Sequence, residues 1–138
     1  MKRNFDLMRE MLFDIESTEE PECPSSSPWT GFKVSGFSVS SRQLIYHARL
    51  LVEKGLLDPE SVKLDAQKSN GAPTVFYRYD ALTNEGHEFL ENIRDPEVWN
   101  KTKAGAREVG SFGFDLIKDL AKGFIKTEVK KRTGMDLS

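Results

Sequence analysis

Ser40-Ser41-Arg42-Gln43-Leu44-Ile45-Tyr46-His47-Ala48-Arg49-Leu50-Leu51-Val52-Glu53-Lys54-Gly55-Leu56 is the stretch on which the fold turns. Leu44, Ile45, Ala48, Leu51 and Val52 recur at three- and four-residue steps, the apolar stripe of a helix over 40–54. Ser40 and Gln43 stand at capping-box spacing, so each can satisfy an orphan backbone N–H near the other, and Val39 and Leu44 occupy the two staple positions. Gly55 supplies the left-handed residue that ends a helix, with Leu56 placed to fold back onto it.

Downstream, Val62, Leu64 and Ala66 alternate with polar residues over 61–66, and residues 74–80 are rich in strand formers. The intervening Lys68-Ser69-Asn70-Gly71-Ala72-Pro73 carries an Asn-Gly turn signal, which predicts a β-hairpin with a polar tip. Upstream, Phe5, Met8, Met11, Leu12 and Ile15 predict a helix over 4–17 capped by Asn4. Residues 18–31 hold Pro21, Pro24, Pro28 and a Ser25-Ser26-Ser27 run and read as a mobile surface loop, and the alternation in residues 32–37 allows a short strand. Thr83 caps a helix over 84–94, Asp95-Pro96 restarts one, and Ser111 opens a last helix to about Arg132 with Gly134 as its stop.

The order is helix, short strand, helix, hairpin, helix and helical tail. It is expected to give an α+β, mainly α, fold with a winged-helix-like ground plan: a domain over 1–95 and a C-terminal helical extension over 96–138. Tyr79 to Leu90 resembles the strand, Leu-Thr cap and glycine-containing helix that close many winged helices. Tyr46 to Leu51, Gly55-Leu56, Leu82-Thr83, Glu85 to Leu90, Ile93 to Asp95 and above all Val98-Trp99-Asn100-Lys101-Thr102-Lys103 resemble domain of unknown function family twenty-five-thirteen. These are small proteins often found in phages and prophages. The resemblance implies a winged-helix-like fold and brings no established activity and no active-site residues. One departure stands out. A full helix-turn-helix needs a helix just before the recognition helix, where this chain has prolines and serines.

Composition narrows the classes. The 138 residues are 38% hydrophobic and 30% charged, with 20 Lys/Arg against 22 Asp/Glu, which suits a globular domain with its own core. The basic residues gather towards the C-terminus. No apolar run reaches the roughly 20 residues of a membrane span, no apolar leader follows the first residues, and a cytoplasmic location is expected. One cysteine, Cys23, and two histidines, His47 and His87, leave no zinc-ligand set. There is no Gly-rich phosphate loop, nucleophile elbow or His-Glu-x-x-His, so neither a cofactor nor an enzyme is expected. His47 and His87 read as hydrogen-bonded structural residues, and Trp99 as core.

The candidate site is the helix face opposite the apolar stripe, with Arg42, Gln43, Tyr46, His47 and Arg49. Arg and Gln can read base edges, and Tyr and Arg can hold phosphates, so double-stranded DNA is one partner such a face fits. Lys68 at the hairpin tip and Arg78 would add phosphate contacts. The plainer account weighs somewhat more on the residues alone: a solvated polar face with the Tyr46 ring packed on the first helix. A protein-interaction module using loop 18–31 and the apolar side of helix 111–132 is the rival. Lys118, Lys122 and Lys126 fit nucleic-acid phosphates, an anionic membrane, or water while the apolar side docks. Docking is favoured, on the body or in a homodimer through helix 111–132.

Overall fold

Local chemistry sets the helices. The computed structural model describes residues 2–19, 26–30, 34–65, 74–110 and 113–135. Helix α1 spans Phe5–Ser17, with the Asn4 side chain accepting the Leu7 N–H at 3.1 Å. Helix α2 spans Ser41–Glu53 and carries the full capping box: Ser40 accepts from the Gln43 N–H, and Gln43 Oε1 accepts from the Ser40 N–H. Gly55, at φ +81°, turns the chain out of α2. Helix α3, Asn84–Ile93, starts under Thr83, whose hydroxyl accepts from the Gly86 N–H at 2.9 Å. Helix α4 is Pro96–Val109, capped by Asp95 and ended by Gly110 in the left-handed region. Helix α5 is Phe114–Thr133, with Gly113 rather than a polar side chain at its N-cap and Gly134 at its end. The helix expected to open at Ser111 begins instead at Phe114, and Ser111 itself lies outside the described residues.

Three strands form one antiparallel sheet in the order β1-β3-β2, with β1 at Ser26–Thr30, β2 at Val62–Asp65 and β3 at Thr74–Arg78. The hairpin β2–β3 is as expected; its tip, with Lys68, Asn70 and Gly71, lies outside the described residues, as does Cys23. Two expectations are corrected. Residues 26–30, read as part of a mobile loop, pair with all of β3. Proline is tolerated on an edge strand, where a missing N–H need not break the ladder, and Trp29 buries its ring beneath. Of the strand allowed over 32–37, residues 34–37 instead form a tight turn, in which the Phe37 N–H bonds to the Val34 carbonyl at 2.8 Å across Gly36, and residues 32 and 33 lie outside the described residues. Asp14 of α1 holds this turn by accepting from the Ser35 hydroxyl at 2.6 Å.

The chain divides into two compact units, residues 1–87 and 88–138, and the division falls within α3. In the first unit, α2 lies against α1 and all three strands. Its buried residues include Leu7, Met8, Met11, Leu12 and Ile15 of α1, Leu44, Ala48 and Leu51 of α2, and Trp29, Val75 and Tyr77 of the sheet. The Trp29 and Tyr77 rings meet at 4.4 Å, and the Tyr77 hydroxyl bonds to Thr18 at 3.2 Å. Gly86 is needed where α3 begins: a Cβ there would stand 2.1 Å from the Leu56 carbonyl oxygen.

In the second unit, α4 and α5 pack along each other. Val98, Trp99, Thr102 and Ala106 of α4 are buried, as are Phe114, Ile117 and Ala121 of α5. An ion network crosses the same pair of helices. Lys101 Nζ lies 3.0 Å from Glu128 and 3.4 Å from Glu97, and Arg132 reaches Asp95, Glu97 and Glu128 at 3.2–3.6 Å. Hydrogen bonding from Lys101 holds the Glu128 carboxyl below its ordinary range, and the backbone N–H of Val98 does the same for Asp95. The apolar side of the last helix, expected to dock on the body or on a second copy, packs on α4.

Candidate nucleic-acid interface

Helical geometry places Arg42, Tyr46 and Arg49 within roughly 60° of arc on α2, over about 10 Å of axis. Arg42 and Arg49 are exposed and Tyr46 half-buried, and neither arginine has an ion pair among the described residues. The first turn of α2 contains Arg42 and no acidic residue. Helices usually place acids there, because the unsatisfied N–H groups make that end positive. Arg42 adds to that potential instead of cancelling it, so this end of the helix attracts anions.

The other expected residues are placed differently. Gln43 commits its side-chain oxygen to the Ser40 N–H and hydroxyl, at 3.1 and 3.3 Å. His47 leaves the outer face altogether and is fully buried. Its Nε2 accepts the Asn4 N–H at 2.9 Å while its Nδ1 donates to the Gln43 carbonyl at 2.6 Å. Only a neutral ring protonated on Nδ1 satisfies both, and burial lowers the His47 pKa accordingly. The ring thus pins the start of α1 to α2, as expected of a structural histidine, and Tyr46 rests edge-on against it at 5.2 Å. The Tyr46 ring is thereby held at the border of the candidate face.

Arg78 sits at the foot of the hairpin, four residues and about 13 Å along β3 from Thr74, where the tip begins. Its guanidinium pairs with Asp80 at 3.3 Å. The structure therefore groups Arg42, Tyr46 and Arg49 and leaves Arg78 paired with Asp80 at the end of β3. Among the described residues no group of His, Cys, Asp and Glu can hold a metal ion, and no helix is long and apolar enough to cross a membrane.

A family model described as "Hypothetical protein (DUF2513)" matches residues 2–112. The chain belongs to this family. The DUF2513 match runs from the start of α1 through α4 and stops before α5. An "Uncharacterized protein" of Haemophilus influenzae (strain ATCC 51907 / DSM 11121 / KW20 / Rd) is similar over 126 residues at 33% identity, covering 91% of this chain and 96% of the relative. No solved structure matches the DUF2513 chain.

Proposed function

We propose that the protein is a winged-helix-like DNA-binding protein that meets duplex DNA through the outer face of α2. The fold reading is supported by a strand between α1 and α2 that joins the hairpin in the order β1-β3-β2. A recognition helix contacts DNA mainly through its N-terminal residues, and α2 presents Arg42 there. The observation that carries the reading is the row Arg42, Tyr46 and Arg49: exposed or half-exposed, with neither arginine tied up in holding the fold together. That task falls to His47 and Gln43. Among the described residues no helix stands between β1 and α2, so α2 approaches DNA without the preceding helix of a helix-turn-helix. Arg78 contributes through the outer sheet surface in this reading, while Lys68, the other expected phosphate contact, lies outside the described residues. A regulatory role in a phage or prophage setting belongs to the same proposal.

The net charge of −2 gives little long-range attraction, so binding is short-ranged and salt-sensitive. Fluorescence anisotropy with a labelled duplex of about 30 base pairs at low salt tests it. Arg42→Ala/Arg49→Ala is expected to weaken binding tenfold or more. Absence of binding by the unaltered protein, or equal affinity of the variant, overturns it.

One observation favours the rival, a protein-interaction module without DNA binding. Phe76 lies half-exposed on the outer sheet surface, directly opposite Pro28 on one side and Lys63 on the other. Phe76→Ser would then abolish capture of a stoichiometric partner, while the DNA experiment stays negative.

A further inference from the structure

We infer that the outer face of α5 is a second docking surface, for the phosphate backbone of a nucleic acid, separate from the α2 face. Lys118, Lys122, Lys126 and Lys130 recur at four-residue steps and all four are exposed. The row covers roughly 18 Å of helix, a lysine every 6 Å. A nucleic-acid strand carries a phosphate every 3.4 Å or so of axis, so the row meets close to every second phosphate.

Several acids of this unit are committed to partners outside the row. Glu91 pairs with Arg94, and Asp95, Glu97 and Glu128 are drawn into the network of Lys101 and Arg132. Asp115 and Asp119 are exposed on the same face, three residues before Lys118 and Lys122, so the uncompensated part of the row runs from Lys122 onward. From Lys122 to Lys131 every exposed charge is positive, because Glu128, the one acid between them, is 5% exposed and bonded to Lys101. A helix face built only for solubility gains from opposite charges at i,i+4 and loses from like ones. Three successive like-charged steps go against stability and call for a polyanionic partner. Gly123, beside Lys122, leaves open space where a Cβ would project, and so lets a backbone approach closely at the loss of helix stability.

The apolar side of α5 decides between polyanions. A helix lying on a lipid surface needs that side free, and here Phe114, Ile117 and Ala121 are buried. The fully exposed positions beside the lysines are Gly123 and Thr127, while Ile125 and Val129 next to the row are only half-exposed.

The test uses the full chain, a labelled duplex and a salt titration. Lys122→Gln/Lys126→Gln preserves helix propensity and is expected to lower the slope of log K against log salt by about 2, at roughly 0.9 per lost phosphate contact. Circular dichroism checks the fold. An unchanged slope overturns the inference, as does absence of DNA binding by the unaltered protein. Binding of the unaltered protein to phosphatidylserine-containing vesicles, lost in the lysine variant while the DNA slope stays put, reassigns the row to lipid and also overturns it. The two surfaces are told apart by the α2 variant. If Arg42→Ala/Arg49→Ala leaves affinity intact and the lysine variant lowers the slope, the α2 reading falls and this one stands; the converse sinks this one alone.

Discussion

Replacing Gly86 by alanine separates the packing argument from simple helix propensity. Within a helix, alanine is ordinarily favoured over glycine by about 1 kcal/mol. At Gly86 the new Cβ would lie 2.1 Å from the Leu56 carbonyl oxygen and 3.2 Å from Leu82 Cδ2. Carbon and oxygen settle no closer than about 3.3 Å, so the start of α3 or the 55–57 segment must move by about 1 Å. The Leu56 carbonyl accepts the Thr83 N–H at 3.1 Å, and the Thr83 hydroxyl donates to the Gly55 carbonyl at 2.6 Å. A 1 Å shift breaks both. Two part-buried groups left unpaired at about 1–3 kcal/mol each, less the propensity gain of about 1, give a net loss of about 1–5 kcal/mol. Gly123→Ala is the matched control: mid-helix, exposed, nothing within 4 Å, and expected to stabilise by about 1 kcal/mol. Urea unfolding followed by Trp29 fluorescence in a Trp99→Phe background reads the first unit for Gly86→Ala; circular dichroism at 222 nm reads the control. A Gly86→Ala midpoint equal to or above the parent's would refute the reasoning.

Acidification should destabilise through His47. Burial holds the folded pKa below the ordinary 6.5, so below that pH the unfolded chain takes up a proton that the folded chain refuses, and stability falls until the folded pKa is passed. Urea midpoints at pH 7.5 and 5.5 should differ more for the parent than for His47→Gln. Asp95 and Glu128, both depressed, add a loss in the same direction at lower pH, below their ordinary values of 3.8 and 4.5. A double-mutant cycle of Glu128→Gln and Lys101→Met should be non-additive, the pair losing less than the two singles summed; additivity in thermal melts would count against the bridge. Trp29 Nε1 is buried with no acceptor among the described residues, so Trp29→Phe should change stability by no more than about 1 kcal/mol, whereas Trp29→Ala should cost about 3–5. Chemical denaturation of both variants checks the contrast.

The helix ends were legible because capping is local. Asn4, Ser40 with Gln43, and Thr83 act within three residues of themselves and were readable from spacing alone, while the start of α4 was read from Pro96 and its Asp95 cap was not. The α2 row was legible for the same reason, since helical periodicity fixes which side Arg42, Tyr46 and Arg49 share. What spacing could not give were contacts decided at long range. His47 lies next to Tyr46 in sequence but is drawn inside by the Asn4 N–H, 43 residues away. The Arg132 clamp joins residues more than thirty positions apart. Strand β1 was hidden by its proline, which argues against a strand in general but not at a sheet margin. A buried Trp29 in an otherwise polar stretch was the available signal.

That proline carries a further consequence. A residue in a border strand aims its nitrogen either at its neighbour or at open water, and proline keeps the ladder intact only in the second orientation. At Pro28 the outward rim of β1 therefore lacks a donor midway along its five residues, where a stray chain would need one to anneal. Restoring that N–H with Pro28→Val would leave the monomer's interior untouched and hand it a template for self-association.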